Sequence, residues 1–172
     1  MRPSKFFIFY FLVFFLTSTF VSASSAIKEG SVYNIYNYSS EDLNFKALSF
    51  KKYKGKVLVL NFWATWCPSC IKEMPLLSNM QKKLGSNYVV FAINVEESKA
   101  LVKRYVSKYF KDRVDLPFLS DVRGELFRSL NLKYLPSTLL IDSNGFVKEI
   151  VIGEQEWDND GIVEYIKGLS AK

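Results

Sequence analysis

The sequence predicts an α/β domain, on three observations. Val57 to Phe62 and Tyr88 to Val95 are short apolar runs, β-branched in part. Runs of this length, the first preceded by the turn-like Lys54-Gly55-Lys56, read as strands buried on both faces. Each is followed by apolar residues at helical spacing. Leu77, Met80 and Leu84 follow the first, with Gly85 placed as a C-cap; Leu101, Val102, Tyr105, Val106, Tyr109 and Phe110 follow the second. Near the end, Thr138 to Ile141 and Phe146 to Ile152 flank Asp142-Ser143-Asn144-Gly145, and Asn-Gly between apolar runs is a strong hairpin signal.

The N-terminus is of another kind. Met1 to Lys5 carries Arg2 and Lys5, Phe6 to Leu16 is uninterruptedly apolar, and Thr17 to Ala26 is small and polar. This is the layout of a secretory signal, with Val21-Ser22-Ala23 as the cleavage region. Residues 1–23 are therefore read as an export signal and 24–172 as the functional domain. The rival is an uncleaved membrane anchor, although the apolar stretch is shorter than the roughly 20 residues of a spanning helix. On either reading the domain lies outside the cytoplasm, in the periplasm or its equivalent.

The remaining elements follow in chain order. Residues 31–50 alternate loosely, with Val32, Ile35, Leu43, Phe45 and Leu48 apolar, and read as a β-hairpin turning at Ser39-Ser40-Glu41-Asp42. A short helix or turn is expected over Phe50 to Lys54. Leu116 to Leu119 is a candidate short strand. Asp121 is placed as the cap of a helix that turns Leu126, Phe127 and Leu130 inward. Asp158 precedes a closing helix with Ile162, Ile166 and Leu169 on one face.

At 172 residues one domain is expected. The formal charge is +6; Arg2 and Lys5, with no acid in the first 23 positions, account for two of it and leave +4 on the remainder. No arginine-rich run or nucleic-acid motif accompanies this excess, which reads as solvated surface.

The only two cysteines lie in Cys67-Pro68-Ser69-Cys70, where the first buried strand hands over to a helix. A thiolate is the nucleophile of disulfide exchange, and a helix N-terminus stabilises negative charge. With Cys67 as N-cap, Pro68 falls at the first helical position, where proline is favoured. The N–H groups of Ser69 and Cys70 can then point back at the Cys67 sulfur. Cys67 is expected to be the exposed attacking thiol and Cys70 the shielded resolving thiol. A closed zinc site needs four ligands, and the chain has no second cysteine pair and no histidine. A c-type haem site would need histidine where Ile71 stands. A structural disulfide remains possible, but so short a loop removes little chain entropy. No metal or cofactor is expected.

Asn61-Phe62-Trp63-Ala64-Thr65-Trp66-Cys67-Pro68-Ser69-Cys70 resembles the active site of the thioredoxin superfamily, and more narrowly its TlpA, ResA and CcmG-like extracytoplasmic thiol:disulfide reductases. Glu73 matches that branch's helix glutamate and Pro75 its helix proline. Leu135-Pro136-Ser137-Thr138 resembles the cis-proline loop. The resemblance covers about residues 30–170. It implies a thioredoxin-like fold, a central mixed β-sheet flanked by helices, with an N-terminal hairpin. It also implies an αβ insertion in the 65 residues between Cys70 and Pro136.

It further implies roles. Cys67, Cys70 and Glu73 would be catalytic, with Glu73 half-buried beneath the pair and exchanging a proton with Cys70. Trp66, Leu135 and Pro136 would bind substrate, Leu135 offering its backbone to an extended chain. Substrates would be protein disulfides such as that of apocytochrome c, and electrons would come from a membrane thiol transporter. A monomer is expected. Two departures stand out. Asn61 replaces the buried aspartate of cytoplasmic thioredoxins, and the proline comes first inside the Cys-x-x-Cys. The rivals are a disulfide oxidase or isomerase, a thioredoxin-like thiol peroxidase, and a peptide-binding module without catalysis. The peroxidase would carry threonine where Ala64 stands.

Overall fold

The structure, a computed structural model, describes residues 33–170. The segment read as an export signal, its expected cleavage region and Val32 lie outside the described residues. The chain forms β1 (Ser39–Asp42), β2 (Ala47–Ser49), β3 (Val57–Trp63), α1 (Pro68–Leu84), β4 (Tyr88–Val95), α2 (Lys99–Tyr109), β5 (Phe118–Asp121), α3 (Glu125–Ser129), β6 (Ser137–Ile141), β7 (Val147–Ile152) and α4 (Asp160–Lys167). Single turns of tighter helix cover Ile35–Asn37 and Phe50–Tyr53.

The strands make one seven-stranded sheet in the order β2-β1-β5-β4-β3-β6-β7. β3 pairs parallel with β4 and antiparallel with β6, so the sheet is mixed. Every residue of β3 is buried. Its alternation sorts side chains between two cores. Val57, Val59 and Trp63 pack with Met74, Leu77 and Met80 of α1 and with Val163 and Ile166 of α4. Leu58, Leu60 and Phe62 face the other way, onto Ile35, Phe50, Leu126 and Leu130. A strand covered on both faces reads as a continuous apolar run, which is why β3 and β4 were legible. Asn61 is the polar exception, and the period of two puts it on the α1 side. Between β4 and β6 the chain inserts α2, β5 and α3, as the length of that stretch implied.

Four expectations are corrected. The first hairpin does not turn at Ser39–Asp42; that segment is β1, and the turn is Leu43 to Lys46. Asp42 closes it, its carboxylate accepting the Asn44 and Lys46 N–H groups at 2.8 and 2.9 Å. The polar run looked like a turn because β1 is only half-buried. β5 starts two residues later than expected, at Phe118. Asp121 ends β5, and Gly124, at φ 65°, is the N-cap of α3. The Asp121 carboxylate still caps that helix from below, accepting the Phe127 N–H at 2.9 Å. The aromatic stripe of α2 is core only in part: Val102 and Phe110 are buried, whereas Leu101 and Tyr109 are exposed.

Gly145 closes the β6–β7 hairpin at φ 89°, and a side chain there would meet the Tyr36 ring at 2.5 Å. Its carbonyl accepts the Ile35 N–H at 2.8 Å. The entering chain is thus pinned against this turn.

Candidate active site

Cys67 and Cys70 are joined in a disulfide, with Cα atoms 5.3 Å apart. Cys67 is the N-cap of α1, in extended backbone, and Pro68 opens the helix. The Cys70 N–H donates to the Cys67 sulfur at 3.3 Å. The Ser69 hydroxyl, rather than its N–H, lies 3.5 Å from the same sulfur. Cys67 is not the exposed residue expected. It is 4% exposed against 0% for Cys70. Its sulfur is bonded to that of Cys70, and its own N–H is held by the Ala64 carbonyl at 3.2 Å. The order of exposure is as expected, and the contrast is small.

Glu73 lies one helical turn beyond Cys70 and is fully buried, not half-buried. Its Oε1 accepts the Trp157 indole N–H at 2.7 Å and the Gln155 N–H at 2.9 Å. Its Oε2 faces the Asn61 amide, which donates at 3.4 Å. That amide also donates to the Thr138 hydroxyl at 2.9 Å. Burial pushes the Glu73 carboxyl up to about 7 from its ordinary 4.5. The three donors pull it back down and the nearby Glu154 charge adds a little upward push, so desolvation wins. The result is a carboxyl that exchanges a proton near neutral pH.

The Leu135–Pro136 bond is cis. Ser137 pairs with Phe62, so Pro136 sits beside the end of β3 from which Cys67 emerges. Among the described residues no backbone hydrogen bond uses Leu135, whereas the Pro136 carbonyl accepts the Gly153 N–H at 2.9 Å. Trp66 is 70% exposed next to Cys67, and Tyr134 and Ile152 are exposed on the neighbouring loops. The sequence-predicted residues thus meet at one end of the sheet.

Two residues were missed. Trp157, from the β7–α4 connection, is buried against Glu73. Glu97, before α2, accepts the Thr65 N–H at 2.7 Å, the Thr65 hydroxyl at 2.5 Å and the Asn94 amide at 2.7 Å. It fastens the loop that leads into Cys67. Neither stands in a motif, and a lone buried tryptophan and one of two adjacent glutamates give no signal by themselves. Among the described residues no cluster of His, Cys, Asp and Glu could hold a metal.

The chain matches the Redoxin family model over residues 22–166. It is 33% identical over 135 residues to the thiol-disulfide oxidoreductase ResA of Bacillus thuringiensis subsp. konkukian, covering 78% of this chain and 75% of that one. It is 35% identical over 133 residues to ResA of Bacillus subtilis, covering 77% and 72%. A crystal structure of a putative thiol:disulfide interchange protein DsbE from Chlorobium tepidum superposes with a TM-score of 0.69 at 22% identity, covering 78% and 93%, and shares the fold. With the disulfide at the helix N-terminus, the buried glutamate and the cis-proline already in place, these matches agree with the geometry. The chain belongs to the Redoxin family of the thioredoxin superfamily and is a ResA-like thiol:disulfide oxidoreductase.

Proposed function

We propose that the protein is exported by residues 1–23 and works outside the cytoplasm as a reductase of protein disulfides, such as that of apocytochrome c before haem attachment. The observation that carries this reading is the Cys67–Cys70 disulfide above the buried Glu73, with the unpaired backbone of Leu135 beside it. The relatives named ResA and DsbE support the class of reaction. The substrate follows the branch resemblance.

In the dithiol form, the Cys67 thiolate attacks one sulfur of a substrate disulfide. A mixed disulfide forms, and the other substrate sulfur leaves as thiolate and takes a proton. Cys70 then loses its proton and attacks Cys67 Sγ. The mixed bond breaks, the second substrate sulfur leaves, and the Cys67–Cys70 bond re-forms. Two electrons have passed to the substrate, and a thiol donor at the membrane would restore the dithiol. The Cys70 N–H at 3.3 Å supports charge on Cys67 Sγ. Glu73, neutral or ionised near pH 7, takes and returns the Cys70 proton. An extended substrate pairs with Leu135, and Trp66 covers the flanking residues.

The test is a measured reduction potential against dithiothreitol or glutathione buffers. A reductase lies nearer the roughly −270 mV of thioredoxin than the roughly −120 mV of DsbA. Ser69 stands where a DsbA-like oxidase has a histidine, so the thiolate has the helix terminus and the neutral Ser69 hydroxyl but no neighbouring cation among the described residues. A value in the DsbA range promotes the oxidase reading. Export is tested by N-terminal sequencing of protein from the producing cell, expected to start near Ser24.

A further inference from the structure

The positive excess is not spread evenly. The end of the sheet that carries Cys67 also carries Glu96, Glu125 and Glu154, paired with Arg128, Arg123 and Lys72. Charges there are largely balanced. The other end, where β3 begins, differs. Lys51, Lys52, Lys54 and Lys56 fall within six residues that contain no acid, and none of the four has an ion-pair partner among the described residues. Lys51, Lys52 and Lys54 are exposed. Lys56 reaches across to the Ser86 carbonyl at 2.7 Å.

This lysine turn is tied to the β6–β7 hairpin, whose Ser143 carbonyl accepts the Gly55 N–H at 3.1 Å. Phe146 stands out of that hairpin, 48% exposed. Asp142, the one acid there, spends its carboxylate on the Asn144 and Phe146 N–H groups. The chain enters the domain at the same place, Asn34 bridging to Phe146.

We propose that this pole, Lys51 to Lys56 with Phe146, lies on an anionic phospholipid surface. The inference rests on the export reading above, which places the domain outside the cytoplasm, facing the outer surface of a membrane. Cations beside an exposed aromatic match the headgroup region, where basic residues meet anionic lipids and aromatic rings settle at the boundary. The chemistry of presentation follows from the topology. β3 runs from the lysine turn to the Cys67 loop, and seven residues of strand span about 23 Å. With the lysine pole on the bilayer, the disulfide is held off the lipid surface, open to soluble substrates and to the part of a membrane donor that extends beyond the bilayer.

The test is hydrogen–deuterium exchange of the exported protein, residues 24–172, mixed with lipid discs. Discs of phosphatidylcholine with about 30% phosphatidylglycerol are compared with pure phosphatidylcholine discs. Exchange in residues 50–57 and 142–147 is expected to slow at least roughly threefold in the anionic discs only. The effect should vanish at about 0.5 M salt, which screens beyond roughly 4 Å. It should also vanish in the triple variant Lys51→Glu, Lys52→Glu, Lys54→Glu, whose insulin-disulfide reduction and unfolding midpoint stay at the wild-type values. Equal exchange in both discs overturns the proposal. So does protection of these segments by an acidic protein fraction without lipid, which assigns the pole to a protein partner. Recovery of the protein from the cytoplasmic fraction overturns the export reading separately, whatever the discs show.

Discussion

Replacing Glu73 by glutamine separates charge from shape at the buried carboxyl. Glutamine's oxygen can accept the Trp157 and Gln155 hydrogen bonds that Glu73 Oε1 accepts now. What disappears is titration, together with the acceptor that Oε2 offers the Asn61 amide at 3.4 Å, a loss that does not change with pH. In the folded protein the Glu73 carboxyl sits at about 7, against its ordinary 4.5. At about 1.4 kcal/mol per pH unit, its ionised form is disfavoured by folding by about 3 kcal/mol. The sign follows from proton counting. Between pH 4.5 and 7 the folded state holds a proton on Glu73 that the unfolded state has lost. Stability therefore falls as pH rises through this window and levels off above it. Wild type should lose about 3 kcal/mol relative to Glu73→Gln between pH 4.5 and pH 8. Urea unfolding of the oxidised proteins at a series of pH values measures the difference. Parallel stability curves would refute the reasoning, because they would show that no group at position 73 titrates between the two states. The same variant should slow resolution of the mixed disulfide and flatten its pH profile near 7, if Glu73 serves Cys70.

The other predictions concern the thiols and their supports. Cys70→Ser should accumulate mixed disulfides with partner proteins in cells, and Cys67→Ser should accumulate none; equal trapping would reverse the assigned roles. Glu97→Ala frees three donors at the Cys67 loop, two of them on Thr65, and should cost about 1–3 kcal/mol in urea unfolding. Its rate of disulfide reduction should fall while Glu97→Gln recovers part of it. Trp157→Phe removes the indole donor from Glu73 while keeping an aromatic ring. The wild-type fall in stability should then extend to higher pH, because a donor that favoured the ionised carboxyl is gone.

What was legible in the sequence is what local physics enforces. β3, α1 and β4 were readable because burial on both faces demands unbroken apolar runs and because proline and glycine mark the ends of α1. The Cys-x-x-Cys and the loop at Pro136 are short-range signatures. The errors fall where local composition and tertiary setting disagree. Ser39 to Asp42 is polar because β1 is half-buried, with β5 on one side and β2 on the other. The burial of Cys67 is set by the residues packed around the helix start, and spacing does not record it.

Glu73 shows why the rest was hidden. Its place on α1 was readable from the motif, but its protonation is decided by partners 12, 82 and 84 residues away. A carboxyl buried without donors would move far above neutral; one with donors alone would fall below 4.5. Only the balance of both puts it near 7, where a proton can move either way at physiological pH. Asn61 is part of that balance. An aspartate at this position would add a second buried carboxyl, and repulsion between the two would push the pair's second proton loss upward. An amide supplies a donor without a charge, and it anchors to Thr138 on the neighbouring strand while doing so. With Asn61 in this place, Glu73 is the one carboxyl of the buried network it forms with Asn61, Gln155 and Trp157, and the proposed proton exchange with Cys70 would fall to it alone.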